Sequence, residues 1–293
     1  MGKFVAWLLE RRYRLILLAV ALCPVVPLVS IALLSLETQA RGLQQGLISA
    51  GISILGVVLV AFAANATIGP MVAVGAATFL LGVGLGALMG WSGSLTLAFQ
   101  GSLLICVLTV LFAFAAVSDA TAFWAPVTDA MAEALAMSGA SEQQLALLEG
   151  LKPVLFGLLA TAALAVLVGA ACLGRWWYTL GADASGFAIE FRRLRLGKVL
   201  AVPATLLVIA GLVTDFLVLE NLIPLILLAF LFQGLAVAHV WSHGRGWHPA
   251  ILVGIYVLWL LPTPLAAAVS VLLSSVGLVD SWIDLRTAAG RSA

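Results

Sequence analysis

Residues 174–198, GRWWYTLGADASGFAIEFRRLRLGK, place five of the chain's fourteen lysines and arginines (Arg175, Arg192, Arg193, Arg195 and Lys198) between two long apolar runs. The composition around that stretch explains the crowding. Of 293 residues 63% are hydrophobic and 9% charged, and the mean hydropathy is +1.19. A soluble domain keeps about a quarter of its residues charged, so a water-soluble globular protein is excluded. In hydrocarbon every backbone amide must be paired within the protein, which leaves helices or a closed barrel. Continuous apolar runs without period-two alternation select helices. The expected fold is all-α: a polytopic transmembrane helical bundle, one integral membrane domain over 1–293, with the lipid bilayer as its first partner.

A crossing takes about 20 residues. Outward from 174–198, the expected spans are Pro153–Leu173 and Thr96–Val117 on one side, Val199–Leu217 and Leu222–Val240 on the other, with Gly46–Ala64 and Pro70–Met89 nearer the start. Two regions are broken near their middles by proline pairs: Leu15–Leu36 by Pro24 and Pro27, and Ala250–Leu278 by Pro262 and Pro264. The first lacks a small-residue cleavage site and reads as retained membrane structure, not a signal peptide.

Charge orients the spans. Lysine and arginine stay cytoplasmic, because each arginine at the bilayer centre costs about 2.5–3.5 kcal/mol on insertion scales. The N-terminus, with Lys3, Arg11, Arg12 and Arg14, and the 174–198 loop are therefore expected inside. The connection 118–152 holds Asp119, Asp129, Glu133, Glu142 and Glu149 against one lysine and is expected outside. Reaching it from an inside N-terminus takes an odd number of crossings, and uninterrupted spans give four. A hairpin at Pro24 and Pro27 supplies the fifth and puts Glu37 and Arg41 inside. The same device at Pro262 and Pro264 returns Arg286 and Arg291 to the cytoplasm. Hairpins or single kinked helices give eight to ten membrane segments. The strings PLVSIALLSL and PLAAAVSVLLSSV after the two breaks echo each other, as interrupted helices do around transporter binding sites.

Few residues carry recognisable chemistry. Gln233, inside a span, needs a partner, either another helix or a ligand. His239, His243 and His248 include a His-x-x-x-His pair, which puts two imidazoles on one helix face as in zinc sites. With Trp241, Arg245 and Trp247 interleaved they read as an interfacial aromatic and basic belt, and no metal is expected. Gly82, Gly86 and Gly90 recur every four residues and read as a helix-packing face. Asp215, Glu220 and Asn221 read as a polar external turn. Val127–Met137 and Glu142–Leu148 are expected to be short amphipathic helices, the second with Ser141 and Gln144 spaced as a capping box. Cys23, Cys106 and Cys172 lie in apolar runs without paired spacing and read as small buried hydrophobes. Nucleophile triads, phosphate loops and paired catalytic carboxylates are not recognisable, so no enzymatic activity and no cofactor are expected. A net charge of +1 gives no basis for nucleic-acid binding.

Four elements together carry a family resemblance: Arg175–Trp177, with Trp176 central in R-W-W; Gly186–Leu196, containing Glu190, Arg192 and Arg195; Gln233–His239; and Asp280–Arg286, containing Asp284. In this order they resemble the YybS-like bacterial inner-membrane proteins, and through them, distantly, the substrate-binding subunits of energy-coupling-factor vitamin transporters. The resemblance departs at Gly181–Phe187, GADASGF, where a Tyr-Asn-Pro-Gly-Gly-Phe type of turn would be expected, so that turn's proline has no counterpart. The resemblance implies a multi-pass protein of the bacterial inner membrane.

Two functions follow as expectations. One is binding or transport of a small molecule or lipid within the bundle, near Pro24, Pro27, Pro262, Pro264, Gln233 and His239. The other is a scaffold docking a cytoplasmic or membrane protein partner through a face of Arg175, Trp176, Glu190, Arg192, Arg195, Asp280, Asp284 and Arg286.

Overall fold

The computed structural model describes residues 2–65, 67–181, 186–261 and 264–290, and among them every regular element is a helix. In chain order these are α1 (Gly2–Glu10), α2 (Arg12–Leu22), α3 (Pro27–Arg41), α4 (Leu43–Ala63), α5 (Ile68–Ser92), α6 (Leu95–Ala116), α7 (Ala120–Met137), α8 (Glu142–Leu151), α9 (Leu155–Gly181), α10 (Phe187–Arg192), α11 (Lys198–Val213), α12 (Leu217–Gly244), α13 (Pro249–Leu260), α14 (Pro264–Ile283) and α15 (Leu285–Gly290). Six helical stretches are long and apolar enough to cross a membrane: α4, α5, α6, the run Glu142–Gly181 that ends in α9, α12 and α14. The protein is thus a helical, membrane-spanning type of chain.

The expected span Val199–Leu217 is shorter in the structure. Its helix stops at Val213, because Thr214 is extended (φ −141°, ψ 140°) ahead of the polar Asp215. At about 1.5 Å per residue, these 16 residues cover roughly 24 Å, less than a full hydrocarbon thickness.

The chain packs as two compact units, Met1–Ser102 with Ala165–Arg195, and Leu103–Leu164 with Leu196–Ala293. In the first, the Pro24 and Pro27 break is a reversal. Residues 23–26 form a turn, and Pro27 opens α3, where its missing N–H costs nothing. Ser30 Oγ donates to the Ala19 carbonyl at 2.8 Å, Arg12 pairs with Glu37 at 3.3 Å, and the Arg41 guanidinium reaches the Leu9 carbonyl. As residue numbers rise on one helix they fall on the other, which only an antiparallel hairpin gives.

Beside that hairpin α3 packs along α5 through the glycine face. A Cβ on Gly82 would lie 2.7 Å from the Ile31 carbonyl oxygen, and one on Gly86 would lie 2.6 Å from that of Ser35. Only residues without side chains allow this approach. The steps 31 to 35 and 82 to 86 rise together, so α3 and α5 run parallel. Gly174 of α9 meets Ala32 and Ser35 of α3 in the same way.

The second unit is organised on α12. Phe232 meets Trp259 and His239 meets Tyr256 edge-on, so α13 runs back against α12. Ser274 Oγ donates to the Leu227 carbonyl at 2.6 Å and Gln233 reaches Asp280 at 2.9 Å, so α14 runs parallel to α12. The chain therefore reverses again between Leu261 and Pro264; Pro262 itself lies outside the described residues. Gly234 and Gly277 let α12 and α14 touch backbone to backbone.

The starts of α9 and α12 are tied at the far end of this unit. Buried Asn221 accepts from the Gly157 N–H at 2.7 Å and donates to the Pro153 carbonyl at 3.1 Å. It lies buried within α12 as an interhelical clamp, not in the expected external turn. The expected amphipathic helices are α7 and α8, and Ser141 and Gln144 close the capping box, with Gln144 Oε1 accepting from the Ser141 N–H at 2.8 Å.

Candidate functional site

The polar residues of the first unit gather at one end of it, where α3, α5 and α9 finish. Arg175 faces Glu190 in a two-pronged pair, Nε to Oε2 at 2.8 Å and Nη2 to Oε1 at 2.7 Å. The same guanidinium donates to Gln39 Oε1 at 3.1 Å and to the Gly93 carbonyl at 3.4 Å, and lies over the Tyr178 ring at 5.3 Å. Two parallel charge-assisted bonds fix direction as well as strength. One arginine thereby fastens the end of α9 to α3, to the α5–α6 turn and to α10.

Beside it, Glu37 is fully buried and pairs with Arg12 and Arg41, each at 3.3 Å, while Ser49 Oγ donates to it at 3.2 Å. Arg12 also meets the Gln45 side chain. A buried carboxylate left alone would be costly. Two arginines and a hydroxyl hold it here, at the base of the α2–α3 hairpin.

In the second unit Gln233 is fully buried and its amide is engaged by protein groups. Its Oε1 accepts from the Leu196 N–H at 2.8 Å, and its Nε2 donates to Asp280 Oδ2 at 2.9 Å and Ser281 Oγ at 3.0 Å. Both amide hydrogens are therefore spent on the protein. Asp280 also takes Arg286, with Nη2 at 3.0 Å. The Trp241 ring nitrogen donates to the Leu285 carbonyl at 3.3 Å.

All four sequence elements thus have key residues joined in pairs: Arg175 with Glu190, and Gln233 with Asp280. Arg192 and Arg195 are half-buried, Trp176 is half-buried on α9, and Asp284 follows the end of α14 with a left-handed φ of 49°. Residues 182–185 of the GADASGF turn lie outside the described residues.

The histidines separate by role. His239 Nδ1 lies 2.9 Å from the Leu235 carbonyl, His248 Nδ1 accepts from the Ala250 N–H at 3.2 Å and caps α13, and His243 is exposed. Among the described residues no group of three His, Cys, Asp or Glu side chains is placed to hold a metal. Arg245 lies over Trp241 at 5.6 Å, and Trp241 meets Trp247 edge-on, within the aromatic and basic belt.

Two apolar clefts accompany the polar ties. One, of about 240 Å³, sits at the α2–α3 turn in the first unit and is lined by Val20, Cys23, Pro24, Val57, Met71 and Val74, among others. The other, of about 360 Å³, lies in the second unit among α6, α7 and α9, with Phe123, Trp124 and Phe156 in its walls. The Glu37 cluster was hidden from sequence reasoning because Arg12 and Glu37 meet only once the hairpin register is known. The second cleft was hidden because 118–152 read as a surface excursion. No protein-family model, curated protein or solved structure matches the chain.

Proposed function

We propose that this chain is a non-enzymatic, multi-pass protein of the bacterial inner membrane that holds an apolar ligand, a lipid chain or a comparably apolar small molecule, within its bundle. The carrying observation is the cleft at Pro24. It lies at the tip of a hairpin too short to span the bilayer, its named walls are apolar, and flanking Val25, Leu59 and Val74 are exposed at 75%, 69% and 62%, as lipid-facing side chains would be. At about 240 Å³ it falls below the roughly 300–1,000 Å³ of most small-molecule sites, which suits part of an alkyl chain better than a whole metabolite.

The charge distribution supports an N-terminus in the cytoplasm and ten membrane segments, four of them short: α2, α3, α11 and α13. The closed ion pairs act as fasteners at the ends of the helices, leaving recognition to the apolar surface.

Native mass spectrometry of gently extracted protein tests the reading. An apolar molecule is expected to travel with the wild-type chain and to be depleted in Met71→Trp, which fills the cleft. Ligand-free wild-type protein, or unchanged retention by Met71→Trp, sinks it.

A further inference from the structure

We infer that α1 is an in-plane membrane helix that recruits an anionic phospholipid, with Phe4 and Trp7 entering the boundary between head groups and chains and with Lys3 and Arg11 meeting the phosphate. This goes beyond the function proposed above and does not depend on the Pro24 cleft.

The first observation is the direction of α1. A Cβ on Gly2 would lie 3.6 Å from the Leu180 carbonyl oxygen, and one on Gly181 would lie 3.3 Å from Val5 and 3.9 Å from Leu9. From Gly2 to Leu9, about 10 Å of helix, α1 thus meets two consecutive residues of α9. A helix packed along α9 would pass about seven of its residues over that length, so α1 lies across the end of α9. That helix has 27 residues, more than the roughly 20 of a crossing, and Gly181 is its last. The boundary of the membrane is therefore where α1 rests. Its placement is fixed from the other side as well: Arg11 is extended (φ −132°, ψ 111°), which separates α1 from α2, and Arg41 holds the Leu9 carbonyl.

The second observation is which side of α1 faces out. Val5 and Leu8 are fully buried, whereas Phe4 and Trp7, stacked at 6.0 Å, are each 45% exposed. The Arg14 guanidinium lies over Trp7 at 4.6 Å and over Tyr13 at 5.9 Å, so the aromatic face continues to exposed Tyr13 and Leu17 on α2. Aromatic rings on the open side of a helix at this depth are the mark of an interfacial helix.

Charge selects the lipid. Residues 2–14 contain one acid, Glu10, which is paired with Arg14 at 2.8 Å. Arg12 is engaged by Glu37 and Gln45. Lys3 and Arg11 are exposed and take part in no ion pair among the described residues. Lys3 stands one helical turn before Trp7, and Arg11 directly follows α1. Two uncompensated cations flanking exposed rings complement an anionic head group. A zwitterionic head group carries its own cation and gains less from them.

Full-length chain with Cys23, Cys106 and Cys172 replaced by alanine and an NBD fluorophore on exposed Ala6→Cys, which leaves both rings in place, tests this. It is reconstituted in phosphatidylcholine vesicles in which about a quarter of the lipid is phosphatidylglycerol or phosphatidylcholine bearing a nitroxide on the upper acyl chain. The nitroxide phosphatidylglycerol is expected to quench as though enriched about fivefold at α1, or about 1 kcal/mol, the attraction of one cation to an anionic surface. High salt is expected to reduce that preference. Lys3→Gln with Arg11→Gln is expected to bring the two lipids level while both still quench, and neither change removes an ion pair. The same fluorophore on Leu59→Cys, an exposed position of α4, is expected to show no preference. Equal quenching of the parent chain by the two lipids, or a preference that survives Lys3→Gln with Arg11→Gln, overturns the inference. So does a fluorophore that neither lipid quenches, which would leave this face to water or to a protein.

Discussion

The Gln233 side-chain nitrogen donates to Asp280 across 2.9 Å between two parallel helices, and the same amide accepts the Leu196 N–H. Three chain segments distant in sequence close on one residue. Interhelical hydrogen bonds in membrane proteins average only about 0.6 kcal/mol. The cost of removing this one is set instead by what remains: the buried Leu196 N–H without this acceptor, at about 1–3 kcal/mol, while Asp280 Oδ2 keeps Arg286. Gln233→Leu is therefore expected to lower the unfolding temperature in mild detergent well beyond an exposed control such as Leu272→Ala. Equal shifts would show that the network carries no weight.

Glycines separate by what faces them. A methyl on Gly86 meets the Ser35 carbonyl at 2.6 Å and the Thr38 Cβ at 2.7 Å, whereas one on Gly84 meets nothing within 4 Å. Both lie mid-helix in α5, so helix propensity alone favours alanine at each by up to about 1 kcal/mol. Forcing α3 and α5 apart costs roughly 1–3 kcal/mol, which decides the sign at Gly86. Gly86→Ala is expected to destabilise and Gly84→Ala to be neutral or stabilising, by thermal unfolding of the two variants side by side.

Much of this architecture was legible in the sequence because burial in a membrane leaves a coarse, one-dimensional signal. The apolar runs located α4, α5, α6, α9 and α12 to within a few residues at most ends, and the four-residue glycine repeat marked the side of α5 that meets α3. Partner choice was not legible. Glu37 and Arg41 are visibly one helical turn apart, but Arg12 joins them only through the hairpin register. Gln233 announced that it needed partners without saying which. The second cleft was invisible for another reason: the amphipathic pattern begins at Val127, and two of the cleft's wall residues, Phe123 and Trp124, precede it.

The hairpin itself is testable by cross-linking. In a continuous helix Ala19 and Ser30 would lie about 16 Å apart along the axis, whereas here the Ser30 hydroxyl touches the Ala19 carbonyl at 2.8 Å. Disulfides need Cα separations below about 7 Å. In a chain with Cys23, Cys106 and Cys172 replaced by alanine, the pair Ala19→Cys and Ser30→Cys is expected to cross-link under mild oxidation. Failure in protein that remains folded would favour one kinked helix.

The two ends of α12 set the last prediction. Asn221, near its start, is fastened to the beginning of α9, which follows the acidic connection 118–152, and Gln233, farther along, is fastened to Leu196. The 28 residues of α12 extend about 42 Å, enough to cross the bilayer. In the proposed topology Ser141 and Lys198, both exposed, belong to aqueous spaces on opposite sides of the membrane. With native cysteines removed, an impermeant maleimide on intact cells is expected to label Ser141→Cys and to reach Lys198→Cys only after permeabilisation. The inverse pattern would keep the helix geometry and reverse the charge-based orientation, because five acids would then face the cytoplasm. Labelling of both positions from one side would contradict α12 as a crossing helix, and with it the placement of the acidic connection opposite the basic loop.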